Sequence, residues 1–269
     1  MTMMSKKNRP IGIFDSGVGG LTVVKEFRRH LPEEDILYFG DTARVPYGNK
    51  SRATIKKFSR QIIDFMMEKK VKMIVVACNT VSSLALPSLK DDYSVPVVGV
   101  IEPGVIEALR ATKNGRIGVI GTGATISSGA YEKGIKRIVP ASRVFSKSCP
   151  LFVPLVENRF FSGPVTRQIV EKYLGGMRAK HIDTLILGCT HYPLLEKVIG
   201  KVMGEVELID SARAMAKAVK AMLVECGMEK GMAGKKASLK CYVSDDPEGF
   251  KRTAGIFLKE KIEVKKVPL

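Results

Sequence analysis

Met73-Ile74-Val75-Val76-Ala77-Cys78-Asn79-Thr80 is an apolar, β-branched run that stops at a cysteine followed by two side chains able to hydrogen-bond. Thr184-Leu185-Ile186-Leu187-Gly188-Cys189-Thr190-His191 has the same form, with Cys189 standing 111 residues after Cys78. A second pair echoes at nearly the same interval. Ile11-Gly12-Ile13-Phe14-Asp15-Ser16-Gly17 and Ile117-Gly118-Val119-Ile120-Gly121-Thr122-Gly123 lie 106 residues apart, and each is an apolar strand ending in a small hydroxyl residue and glycine. Two echoes that agree in spacing predict a duplicated α/β unit. Both cysteines would then sit at the carboxyl ends of parallel strands, where open sheets build ligand sites.

Outward from these runs the same alternation continues. Strands are predicted at 11–14, 35–39, 73–77, 95–100, 116–120, 184–187, 206–209, 239–243 and 262–267, separated by helical patterns, so the expected fold class is α/β with mainly parallel sheets flanked by helices. In the segment from Ser51 to Glu68, Ile55, Phe58, Ile62, Phe65 and Met66 fall on one helical face. Further helix starts are read at Ser211, opening a segment to Cys226, and at Asp246-Pro247-Glu248, opening one to Leu258.

The composition is that of an ordinary globular protein: 269 residues, 45% hydrophobic and 26% charged, with 25 Gly and 13 Pro. That excludes collagen-like, disordered and disulfide-scaffold classes, and the length suits two lobes better than one wide domain. No apolar run approaches the roughly 18 to 20 residues of a membrane span. The opening MTMMSKKNRP is polar and basic, which predicts no secretory signal and a cytoplasmic chain. The net charge of +17 raises a nucleic-acid-binding reading. Its basic pairs, Lys6-Lys7, Lys56-Lys57, Lys69-Lys70, Lys235-Lys236 and Lys265-Lys266, are scattered and follow no nucleic-acid-binding motif, so solvated helix faces are the simpler account.

Five cysteines without a CxxC argue for reduced thiols in individual roles. A cysteine at the end of a buried strand is ordinarily a small hydrophobe, and Cys149, Cys226 and Cys241 keep that reading. Cys78 and Cys189 differ because Asn79-Thr80 and Thr190-His191 follow them, donors suited to a carboxylate or an amino acid backbone. Asp15-Ser16-Gly17-Val18-Gly19-Gly20 looks like a phosphate cradle but fails the dinucleotide spacing at Thr22, as Gly121-Thr122-Gly123 does at Ile126, and no Gly-Lys-Ser/Thr follows. Asp15 would repel phosphate and suits an ammonium group or a proton transfer. Asp41 to Gly48 reads as a Pro- and Gly-fixed loop presenting Tyr47. His191 beside Cys189 can supply or hold a proton, whereas His30 and His181 read as surface residues near helix ends, and three scattered histidines predict no metal site.

Asp15 to Leu21, Asp41 to Gly48, Ala77 to Thr80, Val100-Ile101-Glu102-Pro103-Gly104, Gly121-Thr122 with Thr125, and Leu187-Gly188-Cys189-Thr190-His191-Tyr192-Pro193 together resemble the glutamate racemases, in order over about 15 to 243. The related aspartate racemases share the two-cysteine plan, but the DSGVGG and PYG blocks favour glutamate. The resemblance implies a cofactor-independent isomerase that interconverts L- and D-glutamate, supplies D-glutamate for peptidoglycan and forms a homodimer. It implies two pseudo-symmetric lobes with the site between them, here 1–98 with 209–269, and 99–208. Carried over by residue, Cys78 and Cys189 would be the acid/base pair with Asp15 and His191 as their helpers. Asp15, Ser16, Tyr47, Gly48, Asn79, Thr80, Thr122, Thr190 and His191 would line the substrate site, and Glu157 would stand behind the histidine. The basic character of the chain departs from the family without touching any of these positions.

Racemisation needs one group to take the α-proton from one face of the carbon and another to deliver a proton to the opposite face. A thiol near pKa 8.5 can serve if a neighbour or a strand-to-helix turn favours its thiolate, and the sequence predicts that assistance here. A pyridoxal-phosphate enzyme would instead need a Schiff-base lysine and a phosphate cup, and no sequence context marks either.

Overall fold

The computed structural model describes residues 6–231, 237–258 and 260–269, so the expectations for residues 1–5 and for Lys235-Lys236 lie outside the described residues. The first part of the chain runs β1 (Ile11–Asp15), α1 (Leu21–His30), β2 (Ile36–Gly40), α2 (Arg52–Glu68), β3 (Met73–Val76), α3 (Asn79–Leu84) and β4 (Val97–Gly99). The middle runs α4 (Ile101–Ala111), β5 (Arg116–Gly121), α5 (Gly123–Ser127), α6 (Ala130–Ile138), β6 (Arg143–Ser148), α7 (Phe152–Glu157), α8 (Pro164–Arg178), β7 (Thr184–Gly188), α9 (Glu196–Met203) and β8 (Glu207–Asp210). It closes with α10 (Ser211–Glu225), β9 (Leu239–Val243), α11 (Pro247–Leu258) and β10 (Val264–Lys266).

These strands form two wholly parallel sheets, one ordered β10-β9-β2-β1-β3-β4 and the other β6-β5-β7-β8. The inner order β2-β1-β3-β4 recurs as β6-β5-β7-β8, which gives the two sequence echoes their structural form: β1 corresponds to β5 and β3 to β7. Helices cover both faces. In the larger sheet, Ile11, Ile13 and Val75 pack under α1, α10 and α11, while Phe14, Ile74 and Val76 pack with Ile55 and Ile62 of α2 on the other side. Strands buried on both faces read as continuous apolar runs, which is why most of them were visible in the sequence.

One strand was missed. Arg143-Val144-Phe145-Ser146-Lys147-Ser148 forms β6 at the exposed edge of the smaller sheet, where polar and charged side chains are tolerated and the apolar signature is lost. Helix α2 has the predicted extent, with Ser51 capping it through the Thr54 amide. Helix α10 is capped instead by Asp210, whose carboxylate accepts from the Ala212 amide at 2.8 Å. Cys149 and Cys241 are buried as expected, but Cys226 is exposed at the end of α10 and is no core residue. His30 ends α1 but is half-buried beside Glu26 rather than a free surface residue, while His181 lies three residues beyond α8 and is exposed as expected. Of the basic pairs that are described, Lys56-Lys57 lies in α2, Lys69-Lys70 directly after it, and Lys265-Lys266 in β10. No helix among the described residues is long and apolar enough to cross a membrane.

Candidate active site

Cys78 follows β3 and Cys189 follows β7, so the duplicated topology delivers each thiol to the carboxyl end of an equivalent strand in a different sheet. Both are buried and line one cavity of about 40 Å³. Eleven of the twelve predicted site residues line it: Ser16, Tyr47, Gly48, Cys78, Asn79, Thr80, Thr122, Glu157, Cys189, Thr190 and His191. Val45, Pro46 and Val153 complete the wall. Asp15 stands behind it. A larger cavity of about 700 Å³, with Leu86, Ile101 and Met222 in its lining, contains neither thiol nor any predicted site residue. The converging acid/base groups, not volume, mark the smaller one.

On the Cys189 side, His191 Nδ1 lies 3.8 Å from the thiol sulfur and Nε2 lies 2.7 Å from Glu157 Oε1. Burial opposes charge on this imidazole, but the hydrogen bonds to Cys189 and Glu157 outweigh it and push its pKa up to about 10. At neutral pH His191 is therefore a cation facing a sulfur. On the Cys78 side the sulfur lies 3.7 Å from Ser16 Oγ. Here burial, reinforced by the nearby Asp15 carboxylate, pushes the thiol up to about 12. The expected assistance to a thiolate is thus reversed at Cys78, which rests as a thiol.

The glycine-rich turn after β1 has another purpose than holding phosphate. Its amides are taken: Gly17 N–H and Gly20 N–H donate to Asp15 Oδ2 at 3.1 and 3.0 Å. Burial raises the Asp15 pKa, while His191 and these donors act to lower it. Thr190 donates to its other oxygen at 3.3 Å, so Asp15 reaches across to the segment that carries Cys189. Glycine at 19 permits the same approach, because a Cβ there would lie 2.4 Å from Thr190 Oγ1 and 2.6 Å from His191 Nδ1.

The opposite wall carries hydroxyl and amide groups. Thr122 caps α5 and lies 3.0 Å from both Thr80 Oγ1 and Thr125 Oγ1, linking the two sheets' loops. Tyr47 is anchored by Asp41, whose carboxylate also accepts from Arg44 and Ser244. Gly48 sits where a Cβ would meet Thr122 Cβ at 2.9 Å. Sequence reasoning missed Tyr131, whose hydroxyl donates to Asn79 Oδ1 at 2.6 Å. An aromatic in an amphipathic helix gives no sign of such a role, since it depends on a contact 52 residues distant. Among the described residues no group of three or more His, Cys, Asp or Glu is arranged to hold a metal ion.

A family model described as Asp/Glu/Hydantoin racemase matches residues 21–219. The chain belongs to this family. Among its relatives, the glutamate racemase of Geobacter metallireducens is 50% identical over 255 residues, covering 94% of each chain, and that of Aquifex aeolicus is 49% identical over 255 residues, covering 95% of this chain and 96% of its own. The family's solved structures agree. Glutamate racemase of Francisella tularensis, crystallised with D-glutamate, superposes with a TM-score of 0.90 at 41% identity over 98% of both chains. A glutamate racemase isoform of Bacillus anthracis gives 0.94 at 39% identity, again over 98% of both. Picrophilus torridus aspartate racemase, at 20% identity, covers 81% of this chain and 94% of its own with a TM-score of 0.55, and shares the fold alone.

Proposed function

We propose that this protein is a cofactor-independent isomerase that interconverts L- and D-glutamate by moving the α-proton between Cys78 and Cys189. The observation that carries the reading is the convergence of these two thiols, from equivalent strands of two sheets, on one cavity walled by hydrogen-bond donors. One sulfur takes the α-proton from one face of the carbon. The other delivers a proton to the opposite face, and the reverse reaction exchanges the roles.

The two halves are tuned differently. With its pKa near 12, Cys78 rests as the acid, and Asp15 and Ser16 hold its surroundings. His191 offers positive charge and a proton at Cys189, and Glu157 fixes the ring. As the α-proton leaves, negative charge spreads onto the substrate carboxylate. Asn79, Thr80, Thr122 and Thr190, with Tyr47 and Gly48 closing the wall, are the groups that meet it, as an oxyanion site does.

The reading includes two lobes, 1–98 with 209–269 and 99–208, supported by two sheets that share no strand and by ends of β4 and β8 that fall within two residues of those limits. It also includes a cytoplasmic homodimer feeding peptidoglycan synthesis, as the resemblance implies. The deciding experiment follows the α-proton signals of L-glutamate, D-glutamate and both aspartates by NMR in D2O without added cofactor. Loss of the glutamate signal with appearance of the opposite enantiomer, aspartate untouched, is expected. Exchange of aspartate instead would reassign the substrate, and exchange of none would remove the reaction.

A further inference from the structure

Tyr131 is 2% exposed, and its ring runs between two glycines of different elements. A Cβ on Gly104 of α4 would lie 3.2 Å from the ring, and a Cβ on Gly188, the residue before Cys189, would lie 3.1 Å from it. The hydroxyl end meets Asn79, the residue after Cys78. One side chain therefore touches the shoulders of both thiols.

An asparagine side chain offers an acceptor oxygen at one end and an NH2 donor at the other. With Oδ1 taken by the tyrosine, the donor end is what Asn79 has left for the cavity it lines, and that Nδ2 atom is buried without a partner. Burying an unsatisfied donor is unfavourable until an acceptor arrives, and the acceptor that matches it is a carboxylate oxygen. We propose that Tyr131 is a positioning residue that locks the Asn79 carboxamide with its NH2 group toward a carboxylate of the bound amino acid. Burial pushes the phenol further above its ordinary pKa, so the O–H remains a donor throughout the working range. Without that hydroxyl the carboxamide is free to turn its oxygen toward the carboxylate, where two acceptors repel.

The proposal rests on the racemase reading and sharpens it, and the test separates the two. Wild-type protein is assayed first for glutamate racemisation, and its inactivity would overturn both. In active enzyme, Tyr131→Phe keeps the ring between the glycines and removes only the hydroxyl. The expected result is a rise in KM for both enantiomers of about fivefold to tenfold, together with a fall in kcat, because the same carboxamide meets the charge that builds on the carboxylate. Tyr131→Phe added to Asn79→Ala should raise KM no further, because the carboxamide it orients is gone. Unchanged KM in the single variant, or an equal additional rise in the Asn79→Ala background, would leave Tyr131 a packing residue only. A second readout needs no variant at residue 131: the Asn79 side-chain NH2 resonance of the wild type, assigned by its loss in Asn79→Asp, should shift when D-glutamate is added. An unmoved resonance in saturated enzyme overturns the assignment.

Discussion

Nε2 of His191 lies 2.7 Å from Oε1 of Glu157, and this contact governs what Nδ1 can offer Cys189 3.8 Å away. The imidazole pKa is raised from 6.5 to about 10 by hydrogen bonds that overcome burial. The cationic form is therefore favoured by folding. The stability it contributes is fully present below pH 6.5 and lost as pH rises through about 10. Glu157→Gln should lower the His191 pKa, measured by NMR titration, and move the basic limb of the activity profile to lower pH. The loss in melting temperature should be largest below pH 6.5 and fade above pH 10. An unmoved His191 titration would show that Glu157 has no hold on the ring.

Either cysteine alone should be insufficient. Cys78→Ala and Cys189→Ala should each reduce racemisation by at least about 10² to 10⁴, the range of a lost acid/base group, while circular dichroism shows an intact fold. Full two-way activity in either single variant would sink the two-thiol scheme.

Asp210 tests buried charge away from the thiols. Burial, opposed by the Ala212 amide and Arg213, raises its pKa from 3.8 to about 6. A carboxyl with a raised folded pKa favours the folded state below its unfolded value and loses that contribution as pH rises from about 4 to 6. Asparagine caps a helix as well as aspartate and carries no charge. Asp210→Asn should raise the melting temperature at pH 8 and leave it unchanged near pH 3.5. A gain of equal size at both pH values would rule out the charge as its cause.

At the far end of the larger sheet, Lys72 Nζ lies 2.6 Å from Glu34 Oε2 and donates to the carbonyls of Lys7 and Met228 at 2.9 and 2.8 Å. Lys72→Met strands a buried carboxylate and should cost about 3–5 kcal/mol. Adding Glu34→Leu should recover more than half of that loss, as read by denaturant melts, with kcat unchanged in both. No recovery would mean that the two carbonyl contacts, not the ion pair, hold this corner.

Most of this architecture was legible because strands covered on both faces leave unbroken apolar runs, as β1, β3 and β7 do. β6 was not, because its edge position relaxes the demand for apolar residues. In the site, Cys78 and Cys189 were readable from their strand exits and the donors beside them. The elevated Cys78 pKa was not, since it arises from burial and from Asp15, which is distant in sequence. Tyr131 escaped for a related reason: its helix looks like any amphipathic helix until Asn79 is brought to it. Local pattern reveals what a residue buries, and long-range contacts decide what it orients.

The chain crosses between the two sheets twice, at 99–101 and at 210–211, and the helices that begin there, α4 and α10, pack against each other. Two covalent links set side by side tie the sheets together more firmly than a single crossing would. Each crossing leaves the strand beside one that carries a thiol, β4 beside β3 and β8 beside β7, so the two cysteine-bearing strands are tied through one packed pair of helices. In the two-thiol scheme proposed above, that tie is what would hold the two sulfurs on opposite faces of a single carbon.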